Sequence, residues 1–347
     1  MFLKIKKRVD SELTRYVRDL DRLYSLNAIS PILSRRIKEF ITRKGKRIRP
    51  ILFAIGYLGF AKKPASGLYR SALSIELLHD FMLVHDDIID RSSTRRGKPS
   101  MHAMFNKYLT GRKGIKFSGE DLAIVTGDVL YAMALHTFLS VREENPKNKE
   151  AALKKLIESA FYTGCGEFIE LLYGGKGIEE IKKDDIYKIY DLKTANYTFA
   201  SPLTIGATLA GAKEKEIRQL FQYGIYLGRA FQIQDDILGI FSEEKEIGKS
   251  NLTDLQEAKK TLLIWYAYHN ARAKDKAQIR AIMAKKKVRK TDLVRMRRII
   301  AVSGSLDYAK KEIHALANEA RALNQASSMK KSYKKSLDTF SQEILSL

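Results

Sequence analysis

Residues 77–99 read LLHDFMLVHDDIIDRSSTRRGKP: an apolar run that ends in Asp86, Asp87 and Asp90, with Arg95 and Arg96 shortly after. On a helix, Asp86 and Asp90 share a face, Asp87 lies about 100° around, and His79 falls two turns earlier on nearly the same side. Carboxylates this close repel one another unless cations neutralise them. Mg²⁺ is the hard ion that accepts one or two carboxylates and completes its shell with water and substrate phosphates. Arg95 and Arg96 offer planar forks suited to phosphate oxygens. The plain alternative is a charged helix end followed by a basic turn.

The pattern occurs twice. Residues 231–239 read FQIQDDILG, with Asp235 and Asp236 closing another apolar stretch and Gln232 on the face of Asp236. Two acidic pairs facing across one cavity can hold several Mg²⁺ ions around one diphosphate. Cations accompany them. GKRIRP, residues 45–50, sets Lys46, Arg47 and Arg49 in a turn opened by Gly and closed by Pro. Lys193 and Thr194 stand in YDLKTANYTF, and Lys249 and Lys259 in GKSNLTDLQEAK. Any single lysine reads first as a surface charge in so basic a chain.

These side chains need rigid elements to aim them, and the sequence supplies helices. Leu13, Tyr16, Val17, Leu20 and Leu23 recur at helical spacing with charges between them. Only six prolines occur, none within residues 203–347, and no period-two alternation argues for sheets. Breaks fall near Ser30–Pro31, Lys63–Ser66, Ser93–Pro99, Thr110–Gly119, Glu144–Lys149, Gly174–Gly177, Gly211–Lys213 and Ser242–Asn251, which leaves ten or more helices. No repeat, linker or shift in composition marks a boundary. The expectation is a single all-α domain over residues 1–347.

The chain has 347 residues, 45% of them hydrophobic, which excludes a disordered protein. Its 63 Lys and Arg against 40 Asp and Glu leave a net charge of +23. Such a surplus favours anionic partners: nucleic acid, an acidic membrane surface or phosphorylated small molecules. The segment AKKKVRKTDLVRMRR, residues 284–298, carries eight basic residues and one acid. It reads as a solvated helix face, since no nucleic-acid motif or aromatic interleaving accompanies it. One cysteine, Cys165, precludes an intrachain disulfide and fits a reducing, cytoplasmic setting. The N-terminal MFLKIKKRVDSELTRYV lacks the apolar core of a signal peptide. With no run of about 18 apolar residues, no transmembrane segment is expected. Peripheral membrane contact through the basic surface stays open.

Taken together, the motifs resemble those of the trans-isoprenyl diphosphate synthases, over roughly residues 40–325. GKRIRP, then HDFMLVHDDIIDRSSTRRGKPS, KTA, FQIQDDILG and GKSNLTDLQEAK stand in that family's order and spacing, and KTANYTFASPLTIGATLAG looks most like its archaeal members. The resemblance implies a bundle of long antiparallel helices around a deep central cavity, usually in a homodimer. It implies isopentenyl diphosphate at Lys46, Arg49, His79 and Arg96. It sets Arg95, Lys193, Thr194, Gln232, Lys249 and Lys259 around the allylic diphosphate. Asp86, Asp90 and Asp235 correspond to Mg²⁺ ligands, three ions with substrate bound, and Asp87 and Asp236 stand in support. Three departures are visible: Gly239 occupies the last place of the second motif where many members have aspartate, GEFIE puts Glu167 and Glu170 where Gly-Gln-x-x-Asp is frequent, and Ala258 replaces a frequent glycine.

The activity so implied is head-to-tail condensation of isopentenyl diphosphate with allylic diphosphates. A class I terpene cyclase or head-to-head synthase also uses aspartate-rich helices, but neither needs GKRIRP, His79 and the double arginine together. A basic helical binding protein is the non-enzymatic alternative. For product length, helix geometry sets Met82 and Ile75 near the Asp86 face and turns Phe81 away. The resemblance nonetheless implies that Phe81, five residues before Asp86, carries the ring that blocks the tail, with flexible Met82 beside it. That pattern favours a C20 product, geranylgeranyl diphosphate, over C15 or C25.

Overall fold

The computed structural model describes residues 1–141, 145–242 and 252–345. Among the described residues the only strands are Thr94–Arg95 (β1) and Lys98–Pro99 (β2), paired antiparallel. The rest is helix and turn, in line with the all-α expectation. In order come α1 (Phe2–Tyr24), α2 (Leu26–Ile29), α3 (Pro31–Ile41), α4 (Ile48–Phe60), α5 (Leu68–Ile89), α6 (Met101–Leu109), α7 (Gly119–Leu139), α8 (Pro146–Gly174) and α9 (Lys183–Ile189). A π-helical segment, Tyr190–Ala200, leads into α10 (Ser201–Leu209) and α11 (Glu214–Phe241). Then follow α12 (Thr253–Gln256), α13 (Leu262–Asn270), α14 (Ala273–Met283), α15 (Lys290–Val302), α16 (Ser305–Ala326) and α17 (Lys331–Ile344).

The breaks have local causes. Ser30 caps α3 through its side chain, with Pro31 at the first helical position. Ser118 and Asp121 form a capping box that starts α7. Asn145 accepts hydrogen bonds from the N–H groups of Lys147 and Asn148, so α8 begins at Pro146, inside the expected Glu144–Lys149 break. In α1 the buried stripe is Ile5, Val9, Leu13, Tyr16 and Leu20, while Leu23 is exposed.

Helix α5 buries residues on nearly every side, as a central helix does, and packs against α7, α4 and α1. Helix α11 lies against the π segment and α16, and runs through two apolar cores. Its Leu220, Tyr223 and Leu227 belong to a core shared with α1 and α4–α8. Its Ile233, Ile237 and Ile240 belong to a second core with α13–α16. Two long helices, α5 and α11, therefore carry the two aspartate motifs at their C-terminal ends.

The basic segment 284–298 presents a solvated face, as expected, with Lys285, Lys286, Lys287, Arg289, Lys290, Arg295 and Arg298 all exposed; within it Lys285 pairs with Asp292 at 2.6 Å, Arg298 pairs with Asp275 at 2.6 Å, and Arg297 donates to the Ile240 carbonyl at the end of α11 at 2.6 Å. Among the described residues one helix, α7, is long and apolar enough to cross a membrane by length and composition, since its Leu, Ile, Val, Ala, Met and Phe residues outweigh Asp128. One side of it packs on α5; Ile124, Val125 and Leu139 lie exposed on the other.

Candidate active site

The last turn of α5 brings Asp86 and Asp90 to a cleft of about 250 Å³. The Asp90 N–H donates to the Asp86 carbonyl at 2.8 Å, so the helical register holds through the motif. Asp87 faces the other way, fully buried, with Arg95 donating to its carboxylate at 2.7 and 2.5 Å. The β1–β2 hairpin makes that return possible, with Arg96 in the left-handed region at φ 55°. Arg95 also lines the cleft, so it bridges Asp87 and the open space.

The opposite wall comes from α11 and the π segment. Asp235 and Gln232 line it. Asp236 is buried and engaged: the Tyr190 hydroxyl donates to it, and Gln232 Nε2 donates at 2.9 Å. Thr194 Oγ1 donates to Gln232 Oε1 at 2.8 Å, fixing which way that amide points. The Leu262 N–H donates to Tyr190 Oη at 2.9 Å and ties α13 to the same network.

Lys193 reaches the cleft from the π segment. Glu167, at 2.5 Å, and Glu170 hold it, so both acids of GEFIE serve one lysine. Gly166 permits this approach, since a Cβ there would lie 2.8 Å from the Lys193 nitrogen. Lys259 pairs with Glu257 at 2.8 Å and lies 3.7 Å from Asp254. Ala258 stands at φ 51°, a conformation glycine adopts at least cost, which explains glycine as the frequent residue there. Lys249 lies outside the described residues.

Burial dominates the electrostatics. It pushes the Asp86 carboxyl up to about 7, with Lys193 opposing and Glu167 and Asp90 adding to the rise. Burial likewise raises Asp236 well above the carboxylate range, against the hydrogen bonds from Tyr190 and Gln232. For Lys193, burial favours loss of the proton, but Glu170 and Glu167 outweigh it and the ammonium is retained. Among the described residues, no three metal-ligating side chains converge into a ready-made centre. The donors are carboxylate oxygens on two facing helix ends, a set that fits a hard cation whose remaining ligands arrive with a diphosphate.

A second polar group lies beside the cleft. Arg49 donates to Thr198 Oγ1 at 2.7 Å and sits 4.3 Å over the Tyr197 ring. Burial, then Arg49 and Arg96, push His79 well below the usual imidazole range, so it is neutral. Arg96 approaches the buried Asp80 at 3.9 Å and packs on Gly45, 3.4 Å from where a Cβ would stand. Lys46 is exposed and lines a separate surface depression with Thr42, Lys44 and Arg47. Arg47 parts from Lys46 and Arg49, its companions in GKRIRP. It turns into the core, paired with Glu76 at 2.5 Å and Asp10 at 3.2 Å, because φ 56° swings it away from its neighbours.

Phe81 leaves the Asp86 face as helix geometry requires and meets α7. Its ring lies 4.7 Å from that of His85 and 5.2 Å from that of Tyr131. Met82 is half-buried nearby. The sequence reading missed Tyr190, Asp254 and Lys260, all of which line the cleft. Each stood inside or next to a quoted motif, which was the available signal.

The polyprenyl synthetase family matches residues 30–300. The chain belongs to the polyprenyl synthetase family. It is thereby a prenyltransferase. It is 31% identical to the geranylgeranyl diphosphate synthase of Sulfolobus acidocaldarius over 92% of this chain and 91% of that one. It is 34% identical to the geranylfarnesyl diphosphate synthase of Aeropyrum pernix over 80% of this chain and 82% of that one. In fold it resembles the geranylgeranyl pyrophosphate synthase of Corynebacterium glutamicum, solved with isoprenyl diphosphate and magnesium. The TM-score is 0.87 at 24% identity, over 99% of this chain and 98% of that one. As a polyprenyl synthetase, this chain brings both aspartate motifs to one cleft with Arg95, Lys193 and Lys259, while Lys46, Arg49, His79 and Arg96 are not among its lining residues.

Proposed function

We propose that this protein is a Mg²⁺-dependent short-chain isoprenyl diphosphate synthase that joins isopentenyl diphosphate head-to-tail to allylic diphosphates and delivers geranylgeranyl diphosphate. The observation that carries the reading is the pair of aspartate-bearing helix ends, α5 and α11, lining one cleft with Lys193 between them.

The allylic diphosphate lies in that cleft, with Arg95, Lys193, Thr194, Gln232 and Lys259 around it. Asp86, Asp90 and Asp235 would hold magnesium, three ions with substrate bound. Bound magnesium neutralises the diphosphate and stabilises it as a leaving group. Lys193 is pre-set for this role, since its two glutamates keep it charged and positioned before any anion arrives. Asp87 orients Arg95, and the Tyr190–Asp236–Gln232–Thr194 network orients the α11 wall. Isopentenyl diphosphate binds at Lys46, Arg49, His79 and Arg96. Neutral His79 donates a hydrogen bond without adding to the local positive charge. As the allylic C–O bond breaks, the isopentenyl double bond forms the new C–C bond. The proton then lost goes to the departing diphosphate. The apolar helices below exclude water, which would quench the cation.

Phe81 and Tyr131 close the space beneath and favour a C20 product. We read residues 1–347 as a single domain because α11 runs through both cores. We read the assembly as a homodimer because α8 exposes Ile157, Phe161, Phe168 and Leu172 along one stripe. The lone Cys165 fits a cytoplasmic setting.

The deciding experiment offers labelled isopentenyl diphosphate and Mg²⁺ with dimethylallyl, geranyl or farnesyl diphosphate, and sizes the products. Chains ending at C20 are expected. Asp86→Ala is expected to abolish turnover with helicity unchanged. Cyclic or head-to-head products, or retained turnover in that variant, would overturn the reading.

A further inference from the structure

Helix α15 buries Leu293, Met296, Ile299 and Ile300 on its inner side. Its outer i, i+4 row reads Lys290, Val294, Arg298, Val302, and all four are exposed, Val294 at 64% and Val302 at 71%. The turn before the helix adds Lys286, Lys287 and Arg289, also exposed. The one acid within residues 284–302, Asp292, is 1% exposed and held by Lys285 at 2.6 Å. Arg298 has Asp275 as its partner, but Lys286, Lys287, Arg289, Lys290 and Arg295 have no carboxylate within ion-pair distance among the described residues. This face lies beside the cleft. Gln256 Nε2 on α12 donates to the Lys286 carbonyl at 2.6 Å, and the Val288 N–H donates to Gln256 Oε1 at 2.9 Å. Asp254 and Lys259, on either side of Gln256 in the chain, line the cleft.

We propose that this face, the 286–290 turn with the outer row of α15, docks the protein on an acidic membrane surface. Its plainer role is solubility, but solubility asks for charges of both signs and for no apolar side chains between them. Here the cations are left to repel one another, and the valines in the same row stay in water. An anionic surface with an apolar layer beneath it relieves both at once. A nucleic acid would answer the cations and not the valines, and residues 284–302 contain no aromatic side chain on which a base could stack. The docking goes beyond the synthase reading and does not depend on it. Where both hold, a product with a long hydrocarbon chain is made beside the surface that can dissolve it.

The test sediments the full chain with vesicles of phosphatidylcholine alone, or of phosphatidylcholine mixed with phosphatidylserine, at low and high salt. Binding is expected to the mixed vesicles only, and to weaken as salt rises. Lys287→Gln, Lys290→Gln and Arg295→Gln together are expected to weaken it about a hundredfold, at about fivefold per cation, with helicity and vesicle-free turnover unchanged. Val294→Ser leaves every charge in place and is expected to weaken it about fivefold through lost burial. Lys4→Gln, Lys62→Gln and Lys331→Gln make the same charge change on other exposed lysines and are expected to leave binding as in wild type. Wild-type protein that stays in solution with both vesicles overturns the proposal. So does an equal loss in the two triple variants, which would leave only net charge at work, or a Val294→Ser variant that binds as wild type does. Binding to a duplex oligonucleotide and not to mixed vesicles would assign the face to nucleic acid and overturn it too. A wild-type protein without turnover would instead sink the synthase reading and leave the vesicle result standing.

Discussion

Asp86 illustrates how one residue's surroundings set the chemistry of a site. Burial raises its carboxyl to about 7, while the unfolded chain holds an ordinary aspartate near 3.9. Between those values the native state binds more protons than the unfolded one, so its contribution to stability falls as pH rises and is lowest above about pH 7. Asp86→Asn removes that penalty. The metal-free variant is expected to melt above wild type at pH 8, by at most about 4 kcal/mol, and level with it at pH 4. Scanning calorimetry in EDTA checks both points, and a variant less stable at pH 8 would refute the sign. The same titration predicts that Mg²⁺–pyrophosphate binding releases a proton near pH 7. Phe81 is the second residue-scale case. It rests edge-on against His85 and tilted against Tyr131, outside the aspartate cleft, so its removal would open space without touching the aspartates. Phe81→Ala is expected to yield products longer than C20 by chromatography of the dephosphorylated alcohols. An unchanged distribution would exclude the ring as the floor.

At the scale of elements, the π segment Tyr190–Ala200 does what an ordinary α-helix would not: its wider turns set Lys193 and Thr194 on the cleft side while Tyr190 reaches beneath Asp236. Its position depends on close contact with α8 at Gly166. A methyl group there would lie 2.8 Å from the Lys193 nitrogen and 2.9 Å from Leu192 Cβ, so the backbone must move. Gly166→Ala is expected to cost about 1–3 kcal/mol in a urea titration. It should also lower kcat more than a remote substitution of equal cost, because the displaced residue is Lys193. Wild-type kcat in that variant would show that the packing does not position the lysine.

At the scale of the whole molecule, the feature left over is the apolar stripe on α8, where Phe161 and Phe168 are each 64% exposed. Such a patch marks a candidate interaction surface, and the proposed homodimer would bury it at a two-fold interface. Phe168→Asp is expected to shift the protein from dimer to monomer in sedimentation equilibrium. A wild-type monomer, or an unaltered dimer in the variant, would remove this surface from the interface.

The sequence by itself determined the helical class, the two acidic helix ends and most of the cations around them. Those features are local: periodicity, caps and i, i+4 spacing are read from near neighbours, and Asp86 with Asp90, or Gln232 with Asp236, share a face whatever else the chain does. The tertiary structure alone turned Asp86 to the cleft and Asp87 under Arg95, and tied Asp236 to Tyr190. It also turned Arg47 inward to Glu76, drew both glutamates of GEFIE to Lys193, and set Asp254 over Gly239. Each of these joins residues far apart in the chain, and each is settled by how closely two backbones approach and which charge is left without water. One-dimensional spacing carries neither quantity.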